Sequence, residues 1–211
     1  MKTEQLIDAL VADRGPASAS RLSRFPIALG LGILVSLAAF LATLGVRPDF
    51  IPSIETWRFD LKVAVMLLAW GLALSLCRAL ASPFEVRRPA LRLLPLGLVL
   101  FATVVVELML VPPTEWATRL VGTNWAVCLT AIPLLSLAPL AALLIALRSA
   151  APQSPAQAGA AAGLLAAASG ATLYALHCFD DSPLFVATWY GLATALVVIL
   201  GAVLGRRLLR W

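Results

Sequence analysis

The residues able to do chemistry crowd into one stretch, Tyr174-Ala-Leu-His-Cys-Phe-Asp-Asp181, with Ser182-Pro183 behind it. It holds the single histidine of the chain, His177, one of its three cysteines, Cys178, and the neighbouring carboxylates Asp180 and Asp181. Two thiols at one depth in an oxidising compartment can form a disulfide, and thiolates with an imidazole are the ligands soft metal ions prefer. Cys128 is the second thiol to consider, so Cys128, Cys178 and His177 are the candidate sensor, as a disulfide pair or as a soft-metal set. The plainer readings are cysteines used as small buried hydrophobes, a satisfied interfacial histidine, and an Asp180-Asp181 pair that is either a metal or proton site or a solvated turn. No Walker loop, dinucleotide fingerprint, HExxH or CxxC is present, and the chain does not read as an enzyme.

What positions these residues follows from composition. The chain has 211 residues, 61% of them hydrophobic, and a mean hydropathy of +0.94, far above the roughly 45–50% apolar content of a soluble domain. A membrane span takes about 20 apolar residues, and six such runs occupy 26–46, 61–80, 93–111, 125–147, 158–176 and 184–204. The expectation is an all-α membrane protein, a bundle of six transmembrane helices covering 26–205, with no folded soluble domain. Residues 206–211 form a basic tail, and 1–25 an amphipathic segment and linker. No cleavable signal peptide is expected ahead of the first span, because Glu4, Asp8 and Asp13 stand where a basic n-region would be.

Orientation follows from the cations. Twelve of the sixteen Lys and Arg residues fall on the N-terminal tail, the second and fourth loops and the C-terminus, which places both termini in the cytoplasm by the positive-inside rule. The formal charge of +5 therefore reports topology, and no basic patch interleaved with aromatics points to direct nucleic-acid binding. In this arrangement Cys128 and Cys178 share the outer face, whereas Cys77 sits at the cytoplasmic end of the second span. Glu107 is a charge inside the third span, a functional candidate by default, with pairing to Lys62 or Arg119 as the structural alternative. The steps Gly159-Ala-Ala-Ala-Gly163 and Gly201-Ala-Val-Leu-Gly205 permit close helix approach.

The first 14 residues place Leu6, Ile7, Leu10 and Val11 on one helical face and acidic residues on much of the rest. Helices that lie on membranes favour a basic polar face. This one is acidic, which makes the four apolar residues candidates for docking a soluble partner, with a helix lying on the membrane or frayed in solvent as the plainer alternative.

With these residues on the page, the chain resembles the NrsF-like family of six-span bacterial membrane anti-sigma factors. The features that carry the resemblance are the opening Met-Lys-Thr-Glu-Gln-Leu-Ile-Asp-Ala-Leu, Arg47-Pro48-Asp49, Phe59 with Lys62, Cys128, Tyr174-Ala-Leu-His-Cys with Asp180-Asp181-Ser182-Pro183, Trp189-Tyr190 and Gly205-Arg-Arg. The resemblance implies an inner-membrane protein that sequesters an extracytoplasmic-function sigma factor through cytoplasmic segments and releases it on a stress signal. It also implies sensing through Cys128 and Cys178; the residues themselves call for no cofactor, with a soft metal ion as the one option their chemistry leaves open. A small transporter or a thiol-redox membrane protein is the alternative the residues leave open.

Overall fold

The computed structural model describes residues 3, 5, 8, 17–82, 88–150 and 152–209. Within them the chain is helical and has no strand. The helices are α1 (Ala17–Thr43), the short α2 (Phe50–Ile54), α3 (Trp57–Leu80), α4 (Leu94–Leu110) entered through a 3-10 turn at Pro89–Leu93, α5 (Pro113–Val121), α6 (Trp125–Leu147), α7 (Pro155–Ala175) and α8 (Pro183–Leu208). Among the described residues six segments are long and apolar enough to cross a membrane, as the sequence predicts. Lipid offers no partner for backbone N–H and C=O groups, so spans this apolar close their hydrogen bonds internally as helices.

The loops hold more structure than expected. The connection after the first span contains α2, and the connection between the third and fourth spans is the amphipathic helix α5. Pro112 and Pro113 start α5, and Gly122 ends it in the left-handed region at φ +62°. A Cβ at Gly122 would also lie 2.5 Å from the Phe185 ring and 2.8 Å from the Asp180 carboxyl carbon, so glycine is required there twice over.

The bundle is built on α7. Its span is 78% buried, against 6% for the third span, so α7 is the central helix and α4 lies at the edge. The cause is side-chain size: α7 is mostly Ala and Gly, and small residues let neighbouring backbones come close. The two small-residue steps meet each other. A Cβ on Gly159 would collide with the Gly201 carbonyl, and one on Gly163 would lie 2.6 Å from the Val197 carbonyl.

Proline decides how α1 packs on α6. Pro139 lies inside α6 and lacks an N–H, so the carbonyl of Leu135 loses its intrahelical donor. Ser36 of α1 supplies the replacement, its Oγ donating to that carbonyl at 2.6 Å. Gly32, one turn away, makes room: a Cβ there would stand 2.6 Å from the Pro139 Cα.

Two apolar clusters fill the interior, one toward each end. Phe25, Leu29, Cys77, Leu143 and Leu165 belong to the first. Phe40, Met66, Cys128, Ile132, Tyr174, Cys178, Phe185 and Tyr190 belong to the second.

Candidate functional site

The hairpin between α7 and α8 is where the second cluster meets the end of the bundle. Cys128, one turn into α6, and Cys178, just past α7, are both fully buried there in the same apolar cluster and are not disulfide-bonded. The rings of Tyr174 and Tyr190 stack on each other at 5.7 Å and adjoin both thiols. A π-helical turn at Val186–Tyr190 inserts the extra residue that places Tyr190 inward. It also lets the Trp189 indole donate to the Leu120 carbonyl at 2.7 Å. Burial pushes the Cys178 thiol above its ordinary pKa, and its Sγ donates weakly to the Asp180 carbonyl at 3.8 Å.

The two aspartates after Cys178 have separate tasks. Asp180 accepts from the backbone N–H groups of Thr123 at 3.1 Å and Asn124 at 2.8 Å, so its carboxylate sits on the N-terminus of α6, the helix that carries Cys128. A negative charge there satisfies donors the helix cannot pair itself and complements its dipole. Asp181 turns inward. It pairs with the fully buried Lys62 ammonium and, at 3.0 Å, with Arg47. Asp181 neutralises cations that the fold has taken out of water, whereas Asp180 stays half-buried and takes its donors from the partly exposed Thr123–Asn124 turn. Among the described residues no group of three or more His, Cys, Asp or Glu side chains is placed to hold a metal ion. His177 is engaged elsewhere, its Nδ1 3.0 Å from the Gly45 carbonyl.

Arg47 and Lys62 converge on one atom. The Cys178 carbonyl accepts from Lys62 Nζ at 2.9 Å and from Arg47 Nη1 at 3.2 Å. The other edge of the Arg47 guanidinium forks onto Asp49, at 2.8 and 2.7 Å. That hydrogen bond, above all, pushes the Arg47 pKa up against the opposing effect of burial, and it holds the Asp49 carboxyl below its usual range. The Arg47 cation also lies over the Phe179 ring at 4.8 Å.

Glu107 forms a second node. It is completely buried and accepts from Arg58 at 3.1 Å, Arg119 at 3.3 Å and the Ser182 hydroxyl at 3.4 Å. Arg119 is one of the two partners the sequence offered. Lys62, the other, goes to Asp181 instead, and Arg58 takes its place. The node ties α4 to α3, α5 and the start of α8.

A family model described as negative regulator of sigma F matches residues 10–211. The chain belongs to the NrsF family. A "Probable anti-sigma-F factor NrsF" of Azospira oryzae is 35% identical to it, and an "Anti-sigma-F factor NrsF" of Caulobacter vibrioides 37% identical, each over the whole of both chains. No solved structure matches.

In this NrsF-family chain the hairpin collects most of the residues singled out from sequence. Cys128, Cys178 and His177 lie around it, and Glu107 reaches it through Ser182. Leu6, Ile7, Leu10 and Val11 lie outside the described residues. Sequence reasoning gave no chemical role to Arg47 and Arg58, and offered Lys62 only as a partner for Glu107. The available signal was that Lys62 follows the start of an apolar run by only a few residues, where a cation needs a buried partner.

Proposed function

We propose that this chain is an inner-membrane anti-sigma factor. It holds an extracytoplasmic-function sigma factor at the cytoplasmic face and releases it when the state of the Cys128–Cys178 pair changes. The observation that carries the reading is the family match over residues 10–211, joined by two anti-sigma-F relatives aligned end to end. Docking falls to the N-terminal segment through Leu6, Ile7, Leu10 and Val11, with both termini cytoplasmic. A changed thiol pair alters the packing of α6 against the α7–α8 hairpin, and this biases the bundle between a sigma-retaining and a sigma-releasing arrangement.

The test is purification of the tagged full-length protein from membranes, with the bound sigma factor identified and sigma-dependent transcription followed in parallel. A sigma factor should copurify and be lost on treatment with diamide. Leu6→Asp with Leu10→Asp should abolish copurification while insertion persists, since each buried apolar side chain contributes about 1.5–3 kcal/mol. An intact, inserted protein that brings down no sigma factor, and whose deletion leaves transcription unchanged, refutes the reading. Thiol-reagent labelling of cysteines placed in 148–157 and at the C-terminus checks the orientation, which an externally labelled C-terminus would overturn.

A further inference from the structure

Only a limited part of α1 touches α7, because α1 packs mainly along α6. At its outer end, however, the loop leaving α1 is stitched to the α7–α8 hairpin. The Arg47 backbone N–H donates to the Leu176 carbonyl at 3.0 Å. The Arg47 side chain reaches the Cys178 carbonyl and Asp181, and His177 sits on the Gly45 carbonyl. Beyond Pro26, α1 runs without interruption to Thr43, a rod of about 25 Å at 1.5 Å per residue. The sequence continues directly from its other end into residues 1–16.

We propose that Arg47 is the positioning residue through which the Cys178 hairpin controls α1, so that the first span is the element carrying the state of the outer face to the N-terminal segment. The guanidinium suits this because its planar fork bonds three acceptors at once: the Asp49 carboxylate on its own loop, and the Cys178 carbonyl and Asp181 across the hairpin. Cys178 cannot shift its backbone without moving a group that Arg47 holds. With the thiols free, as here, the bridge is intact and fixes α1 in one arrangement. Any change at Cys178 that rotates its carbonyl away releases the outer end of the rod. A side chain that holds one acceptor at a time permits the same release.

The proposal rests on the anti-sigma reading for its physiological output, and two measurements separate them. In the full-length protein in membranes, Arg47→Gln should raise sigma-dependent transcription without oxidant by about fivefold or more, the scale of an ordinary coupling between sites. Adding Cys128→Ser and Cys178→Ser should not restore retention, because Arg47 acts after the thiols. Arg47→Lys should lie between wild type and Arg47→Gln, and it serves as the deciding variant if the glutamine form does not insert. Independently of sigma, spin labels at Gly30→Cys and Gln157→Cys, in a background with the three native cysteines changed to serine, report the distance between α1 and α7. Arg47→Gln or Arg47→Lys should shift or broaden that distribution. An inserted variant with unchanged distance overturns the proposal, as does a shifted distance with wild-type retention in cells whose wild-type protein does retain sigma. A wild-type protein that retains no sigma refutes the anti-sigma reading, and the spin-label distance then decides the positioning role by itself.

Discussion

The ammonium of Lys62 and the carboxylate of Asp181 form an ion pair in which the lysine side chain has no solvent exposure at all. Asp181 is shared with Arg47, whereas the other hydrogen bond of Lys62 goes to the carbonyl of Cys178. The two halves of the pair are therefore unequal. Asp181→Asn strands a buried cation and should cost about 3–5 kcal/mol, and Lys62→Met should cost less, because Asp181 keeps Arg47. The double variant should recover part of the Asp181→Asn loss, since no charge is then left unpaired. Thermal unfolding in detergent of the three variants checks the order, and an Asp181→Asn protein more stable than Lys62→Met would contradict it.

Glu107 is the one buried residue of α4, so the hold of this helix on the bundle is concentrated in a single polar node. Glu107→Gln should cost about 2–4 kcal/mol, below the full price of breaking a buried pair because Arg58 and Arg119 are each about a third exposed. Amide hydrogen exchange should show α4 losing protection while α7 keeps it. Equal loss in both helices would mean that the node supports the whole bundle.

Close approach of α7 and α8 predicts a contrast between glycines. Gly163→Ala places a methyl 2.6 Å from the Val197 carbonyl, and relieving that overlap should cost about 1–3 kcal/mol. Gly30 has nothing within 4 Å of its would-be Cβ, so Gly30→Ala should be neutral or stabilising by up to about 1 kcal/mol. Matching unfolding midpoints for the two variants would show that the α7–α8 contact is looser than described.

Ser36→Ala leaves the Leu135 carbonyl without a donor inside the membrane, because Pro139 has no N–H to give back. The expected loss is about 0.6–1.7 kcal/mol, the range of interhelical hydrogen bonds in bilayers. Replacing Pro139 by Ala restores the intrahelical donor and should make Ser36→Ala nearly silent, a dependence that a double-mutant cycle reads directly.

Burial raises the Cys178 pKa above that of a free thiol, so at neutral pH it stays protonated and slow to react. The folded state favours the neutral thiol. Its contribution to stability is therefore complete below the unfolded pKa, about 8.5, and is lost as pH rises toward the folded value. Iodoacetamide should modify Cys178 in the folded protein far more slowly than in denatured protein, with the rate climbing only in alkaline solution. Rapid modification at pH 7 would show the thiol to be exposed.

The architecture was legible from the residues alone because a bilayer demands long apolar runs, and a run such as 125–147 admits no other reading. The two small-residue steps around Gly159 and Gly201 were visible as places of close approach. Nothing in the sequence said that they face each other, since many Ala-rich positions share that pattern. The grouping of Cys128 with Cys178, apart from Cys77, followed from counting crossings, because each crossing reverses the face on which a loop emerges.

Which charge neutralises which was decided only by the tertiary structure. Lys62 stands 119 residues from Asp181 in sequence, and Arg58 stands 49 from Glu107. No periodicity links them, because each contact is made where the ends of different helices converge. Adjacent residues Asp180 and Asp181 look equivalent in sequence, yet one caps α6 and the other neutralises buried cations. Successive side chains in an extended turn point to opposite sides, and the packing of α1, α3 and α6 around the hairpin determines what each side meets.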